Sequence, residues 1–170
     1  MNAKGEFFAT VQRALEYAAR GWNVFPAPPG KRKSYKSAAH SGGRNWGATT
    51  DPEEIRADWA KWPQANVGIA TGPDSGFFVI DADTMEGHGK DGVGALRDWI
   101  TEHGPLPHTI EVRTPSGGWH VYFQYPDHLT IQTNSNKLAP GIDVRGEGGM
   151  PQTTAFELYQ RCSIWTPYPV

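Results

Sequence analysis

The chain has 170 residues, a length that suits one domain with a hydrophobic core of its own. Its hydrophobic share of 38% is ordinary for a globular protein, and no apolar run approaches the ~20 residues that cross a bilayer. These features and the lack of a signal-peptide pattern predict a cytoplasmic protein without a membrane partner. The formal net charge of −2 argues against a protein that coats nucleic acid through bulk positive charge. A single cysteine, Cys162, excludes an internal disulfide and a multi-cysteine zinc module.

Apolar spacing and turn residues predict a mixed α/β chain in which helices do not dominate. Core-facing helical spacing predicts helices over residues 6–20, 51–62 and 93–102. Short or alternating apolar runs predict strands over residues 22–25, 66–71, 76–83, 108–113, 119–124, 141–145 and 155–159, with one more near Ile164. No repeat or linker divides the sequence, so residues 1–170 are predicted to form one domain.

The second helix has a strong start signal. Asp51 can cap the helix, Pro52 suits its first turn, and Glu54 completes an arrangement like a capping box. The residues predicted to face the core in this helix and the next are Ile55, Trp59, Trp62, Leu96, Trp99 and Ile100.

Residues 26–47 form a polar, glycine-bearing loop without periodicity, and a loop of this length is either functional or mobile. Its closely spaced basic residues are Lys31, Arg32, Lys33 and Lys36. Such residues could hold the backbone of a nucleic-acid template or primer, or they could form an ordinary solvated surface, and the sequence leaves both open. Trp46 is the tryptophan most worth testing for base stacking, because it lies in this loop.

Four predicted strands place ionisable side chains on one face and apolar side chains on the other, because side chains alternate along a strand. The polar residues of these strands are Asp81 and Asp83, Glu111 and Arg113, His120 and Tyr122, and Asp143 and Arg145. If the strands pair in one sheet with these faces together, the aspartates converge with the histidine and two arginines.

Three carboxylates in one place repel one another unless cations neutralise them. Oxygen ligands of this kind suit Mg²⁺ or Mn²⁺, and two such ions about 4 Å apart promote phosphoryl transfer. An Asp-x-Asp pair at a strand end more often caps a loop, but Asp143 stands between two aliphatic residues, where strands disfavour aspartate. The pattern alone leaves a metal site and a structural role open, and it does not distinguish a polymerase from a nuclease.

Three motifs, taken in order, resemble those of a known family. They read Phe-Val-Ile-Asp-Ala-Asp at residues 78–83, Gly-Trp-His at 118–120 and Ile-Asp at 142–143. The flanking segments that are also similar are residues 49–52, 62–72, 114–118 and 141–146. Over residues 14–149 the chain resembles the bifunctional primase-polymerase domain of the archaeo-eukaryotic primase superfamily, which occurs in phage and plasmid replication proteins.

This resemblance implies an α+β fold, in which an antiparallel-rich sheet like an RNA-recognition motif carries an added N-terminal α/β unit. The active site would lie between the two parts. The implied activity is primer synthesis and DNA polymerisation by a two-metal mechanism, with Mg²⁺ or Mn²⁺ bound by Asp81, Asp83 and Asp143. The residues implied to bind the nucleotide are Ser116, Gly117, Gly118, His120 and Arg145, with Arg113 a weaker candidate.

The implied partners are a single-stranded DNA template, nucleoside triphosphates and a helicase domain on the same longer chain. Two other functions remain open. One is a metal-dependent nuclease or nucleotide hydrolase that uses the same carboxylates, and the other is a non-catalytic module that binds single-stranded nucleic acid by base stacking. Aromatic residues on the sheet face would favour the binding module, whereas the predicted face carries Asp, His and Arg.

Overall fold

Two antiparallel sheets and four helices organise the chain in a computed structural model that describes residues 3–36, 38–114 and 116–150. In chain order the elements are α1 (Ala3–Ala18), β1 (Val24–Ala27), α2 (Pro52–Lys61), β2 (Asn66–Ile69), β3 (Phe77–Ala82), α3 (Met85–His88), α4 (Gly92–His103), β4 (Glu111–Arg113), β5 (Trp119–Gln124), β6 (Asn134–Ala139) and β7 (Ile142–Arg145). The strand predicted over residues 155–159, the one near Ile164 and Cys162 lie outside the described residues.

The larger sheet has five strands in the order β4-β5-β3-β7-β6, and every neighbouring pair is antiparallel. The smaller sheet pairs β1 with β2, which together with α1 and α2 form an N-terminal unit. The predicted α+β class is therefore confirmed, as is the antiparallel character of the sheet. None of the helices in the described part of the chain has the length and apolarity that a membrane crossing requires.

One hydrophobic core joins the N-terminal unit to the larger sheet. Its largest buried residues include Tyr17, Trp22, Ile55, Trp59, Phe77 and Tyr122. The rings of Trp22 and Phe77 lie 4.8 Å apart between centroids and connect the two parts directly. Burial of such aromatic side chains contributes much of the stability of a domain of this size.

A second core lies on the opposite face of the larger sheet, beneath α4. Its members include Ala82, Val93, Leu96, Trp119, Val121 and Ile142. Both faces of the sheet are therefore covered. Asp81 shares its face with Phe77 and Val79, which are buried in the first core. The predicted separation into one polar and one apolar face is thus wrong for most of β3 and holds only toward its Asp81 end.

The start of α2 confirms part of the predicted cap. Asp51 Oδ1 accepts a hydrogen bond from the backbone N–H of Glu53 at 2.9 Å, and Pro52 begins the helix. The capping-box role of Glu54 is wrong, because its carboxylate binds basic residues of the preceding loop instead. The Asp51 N–H, which a capping box would satisfy, donates to Thr49 Oγ1.

Three local details differ from prediction, one in the larger sheet, one between β3 and α4, and one in α4. No element is predicted over residues 127–140, but they contain the edge strand β6, whose side chains are mostly exposed. Helix α3 was not predicted, and it is one short turn in which Thr84 Oγ1 accepts from the Gly87 N–H. Trp99 was predicted to face the core, but it is 49% exposed.

Candidate active site

Strand β3 lies between β5 and β7, and this order brings three predicted site residues to one level of the sheet. Asp81 is directly opposite His120 on one side and directly opposite Asp143 on the other. Because side chains at paired positions point to the same face, all three project together. Arg145 projects from that face of β7 as well, two residues after Asp143.

A chain of ion pairs connects the four side chains. His120 Nε2 lies 3.0 Å from Asp81 Oδ1, and Arg145 Nη2 lies 2.9 Å from Asp81 Oδ2. The same Arg145 nitrogen lies 2.8 Å from Asp143 Oδ2. One guanidinium thus bridges two carboxylates, and the aspartates and the histidine are buried.

The electrostatics of this cluster favour an ionised Asp81. Burial alone would raise the pKa of its carboxyl group, because a low-dielectric environment disfavours the charge. The hydrogen bonds and positive charges of His120 and Arg145 outweigh that effect and lower the pKa from 3.8 to about 2. The cluster is therefore built to keep a carboxylate charged while it is largely shielded from water.

One ring nitrogen of His120 makes no hydrogen bond with the described residues. Its Nε2 is engaged by Asp81, whereas its Nδ1 is buried and has no hydrogen-bond partner among the described residues. A buried polar atom without a partner is costly, so such an atom commonly marks a place where a ligand or water binds. With Nε2–H donated to the carboxylate, Nδ1 can bind a phosphate oxygen only when it carries a second proton.

Asn136 supports Asp143, and the sequence pattern did not reveal it. The Asn136 N–H donates to Asp143 Oδ1 at 3.2 Å, and Asn136 has a φ of 58°, in the left-handed region that asparagine tolerates better than most residues. Its side-chain Oδ1 accepts from the Gly141 N–H at 2.8 Å and from Lys90 Nζ at 3.0 Å. These contacts fix the turn before β7 and hence the position of Asp143.

Asp83 follows the end of β3 rather than lying within it. Its backbone joins the turn before β7 to the start of α4, because its N–H donates to the Gly141 carbonyl and its carbonyl accepts from the Val93 N–H. Within residues 3–36, 38–114 and 116–150, no three His, Cys, Asp or Glu side chains are grouped closely enough to hold a metal ion. The structure thus links Asp81 and Asp143 through Arg145 and places Asp83 just beyond the end of β3.

The expectation that Arg113 joins the cluster is wrong. In the pairing of β4 with β5, Val112 is opposite His120 and therefore takes the site face, where it is buried in the first core. Arg113 is opposite Trp119 on the other face, and its guanidinium lies 4.2 Å from the centre of that ring. In the strand predicted over residues 108–113, the apolar residues therefore lie on the face where β3, β5 and β7 carry Asp81, His120 and Asp143.

The predicted glycine turn lies close to the end of β3. Thr84 Oγ1 donates to the Ser116 carbonyl at 3.0 Å, which links the turn to the residue after Asp83. Gly117 has a φ of 83°, a conformation that side chains disfavour. A Cβ on Gly118 would lie 3.1 Å from the Ala82 carbonyl oxygen, so a larger residue would push the turn away from the strand.

The basic loop divides into two parts. Lys31, Arg32 and Lys33 are exposed, and no ion pair of theirs occurs with the described residues. Lys36, with 9% of its side chain exposed, lies 2.7 Å from both Glu54 Oε1 and Asp58 Oδ2. The prediction that Lys36 holds template or primer is therefore wrong, because its ammonium group is paired with two acids of α2.

The ion-pair cluster around Lys36 fastens the loop to α2. Arg44 adds two hydrogen bonds to the Glu54 carboxylate, at 2.6 and 3.0 Å. Although burial would raise the pKa of Glu54, hydrogen bonds from Arg44 and Lys36 lower it to about 2. Burial raises the pKa of Asp58 in spite of its contact with Lys36.

Trp46 is also part of the fold rather than a free stacking platform. Its ring stacks on Phe25 with centroids 5.5 Å apart, and its Nε1–H donates to the Gly148 carbonyl at 3.2 Å. The indole therefore ties the loop to the segment that follows β7.

In a comparison with protein families, residues 14–154 match the family described as bifunctional DNA primase/polymerase, N-terminal. The chain belongs to this family. The family assigns it a primase/polymerase type of nucleotidyl-transfer role, with a DNA template and nucleotides as substrates. A comparison with curated protein sequences finds no match.

Proposed function

We propose that this chain joins nucleotides on a single-stranded DNA template, both to make primers and to extend them. The observation that carries the proposal is the pairing of Asp81 with Asp143 and His120 at one level of the sheet. In the reaction, a primer 3′-hydroxyl, or the hydroxyl of an initiating nucleotide, attacks the α-phosphorus of the incoming triphosphate. The new P–O bond forms as the bond to pyrophosphate breaks.

The residues of the cluster fit a divalent cation in their chemistry. Asp81 and Asp143 offer carboxylate oxygens within 3 Å of one shared positive group, the Arg145 guanidinium, and such hard oxygen donors suit Mg²⁺ or Mn²⁺. Asp83, placed just after β3, is the third proposed ligand. Two bound ions would supply an activated attacking hydroxyl and charge stabilisation for the leaving oxygen.

The remaining residues of the site are proposed to bind the triphosphate. His120 offers its unpartnered Nδ1, and Arg145 offers a guanidinium that matches the geometry of phosphate oxygens. Ser116, Gly117 and Gly118 form a tight turn beside the end of β3, where a phosphate can approach the backbone closely. The low pKa of Asp81, about 2, keeps the carboxylate charged near neutral pH.

The test is incorporation of labelled nucleotide on a single-stranded template, with and without a primer, in Mg²⁺ or Mn²⁺. We expect template-dependent extension that Asp143→Asn reduces by a factor of a hundred or more, as expected when a residue that stabilises the transition state is lost (about 3 kcal/mol or more). Asp127→Asn, a change of an exposed aspartate in the connection before β6, is the matched control.

The products distinguish the competing activities. Shortened template or primer, or nucleotide hydrolysis without incorporation, would replace the proposal with a nuclease or hydrolase that uses the same carboxylates. DNA binding with no turnover of either substrate would indicate the non-catalytic binding module. A helicase domain on a longer chain stays a prediction, which the full-length gene product would test.

A further inference from the structure

Two aromatic side chains form a stacked pair on the surface of the N-terminal unit. The rings of Tyr35 and Trp62 lie 5.4 Å apart between centroids and are parallel to within 5°. Trp62 also packs against the first core, whereas Tyr35 is 42% exposed. The Tyr35 N–H donates to the Pro26 carbonyl at 2.9 Å, so the exposed ring is held by both a backbone contact and a side-chain contact.

Positive charge lies on the same short segment. Lys31, Arg32 and Lys33 precede Tyr35 and are exposed, while Lys61 Nζ lies 4.4 Å from the centre of the Trp62 ring. These four basic residues, with Tyr35 and Trp62, are called the aromatic-basic surface.

The acids of α2 do not cancel this charge. Glu54 is matched by Arg44 and Lys36, Asp58 also contacts Lys36, and Glu53 pairs with Arg56 at 2.7 Å. The aromatic-basic surface thus keeps a positive charge beside an exposed ring.

We propose that the aromatic-basic surface binds the single-stranded template, with one base stacked on Tyr35 and the adjacent phosphates on residues 31–33. This inference rests on the proposed function, since it names the part of the chain that holds the template away from the catalytic cluster. An exposed aromatic ring beside basic residues is the combination that binds single strands, because a base supplies the stacking face and the backbone supplies the negative charge. A duplex offers the charge but keeps its base faces covered.

Tyr35 suits this role better than the other exposed or loop aromatics. Trp46 is engaged by Phe25 and Gly148. Trp99 lies on the opposite side of the larger sheet, where it lines an apolar cavity of about 350 Å³ together with Phe78 and Leu106. Trp99 therefore offers a matched control: an exposed aromatic residue outside the aromatic-basic surface.

The experiment measures binding of a fluorescently labelled oligothymidylate by anisotropy, in EDTA and without nucleotides. We expect Tyr35→Ala to weaken binding about fivefold or more, since stacking on one base is worth at least that factor. Tyr35→Phe should bind like the parent protein, and Trp99→Ala should also leave the affinity unchanged. Replacing Lys31, Arg32 and Lys33 together by alanine should lower the slope of log affinity against log salt by about 2, because each phosphate contact contributes about 0.7.

Tyr35→Leu separates stacking from packing, because leucine can cover Trp62 but offers no aromatic face. Weak binding by Tyr35→Leu at an unchanged melting temperature supports the proposal. Parent-like binding by both Tyr35→Leu and Tyr35→Ala overturns it, as does equally tight binding of duplex DNA with the same dependence on Tyr35. The catalytic proposal is judged separately by primer extension. A protein that binds template through Tyr35 yet incorporates no nucleotide would refute the catalytic proposal and leave the binding proposal standing.

Discussion

Replacing Asp81 by asparagine should reduce stability as well as activity, and the size of the effect follows from the contacts of its carboxylate. Asparagine keeps the shape of the side chain and removes the charge that His120 and Arg145 stabilise. Lowering the pKa of Asp81 from 3.8 to about 2 corresponds to about 2 kcal/mol of folding free energy. We therefore expect the free energy of unfolding of Asp81→Asn to be about 2 kcal/mol lower than that of the parent protein at pH 7.

The dependence on pH provides the sharper test. A carboxyl group whose pKa is lowered by folding stabilises the protein above its unfolded pKa of about 4 and loses that contribution as the pH falls toward 2. The difference between the two proteins should therefore be constant from pH 7 to pH 5 and shrink to about half by pH 3. Urea denaturation in EDTA over this range measures it.

Two results would refute this reasoning about Asp81. Equal stability of the two proteins at pH 7 would mean that burial cancels the gain from His120 and Arg145. A difference that stays the same down to pH 3 would mean that the lost contact does not depend on the charge. Asp98→Asn, an exposed change on α4, should alter stability by less than about 0.5 kcal/mol and serves as the control.

Two further predictions concern His120 and Lys36. His120→Ala should raise the nucleotide concentration needed for half-maximal incorporation while template affinity is kept. Steady-state kinetics measures the first quantity and filter binding measures the second. Loss of template binding at unchanged nucleotide affinity would contradict the proposed role of His120. Lys36→Met should lower the free energy of unfolding by about 2 kcal/mol or more, because it leaves Glu54 and Asp58 without their shared partner, whereas Lys31→Met should have little effect on the melting temperature.

The meeting of Asp81, His120 and Asp143 on one face of the sheet could be predicted from the sequence because the information for it is local. Alternation along a strand fixes which side chains share a face, and Asp81, His120 and Asp143 each lie within a strand. What alternation cannot give is which face of one strand meets which face of another. Arg113 shows the consequence, since the register that places Val112 opposite His120 sends the arginine to the other side.

Residues without an apolar pattern were missed or misassigned for a different reason. Strand β6 has little apolar periodicity because it lies at the edge of the sheet with one side in solvent, so only its hydrogen bonds to β7 define it. In the sequence, Lys36 cannot be told from the three other basic residues of its loop. Its pairing with Glu54 and Asp58, about twenty positions later in α2, sets it apart. A pairing of that kind depends on tertiary structure and leaves no local signal.

Arg145 supplies a counter-charge to the two aspartates that β3 and β7 bring together. Asp81 and Asp143 face each other on neighbouring strands, and their charges would oppose the pairing of β3 with β7. An arginine two residues after Asp143 lies on the same face, and its guanidinium reaches both carboxylates. The four residues Ile142–Arg145 therefore encode two core residues, a carboxylate and its counter-charge in a single strand. Because this counter-charge lies on the same strand as Asp143, it offsets the repulsion between the two carboxylates where β3 pairs with β7.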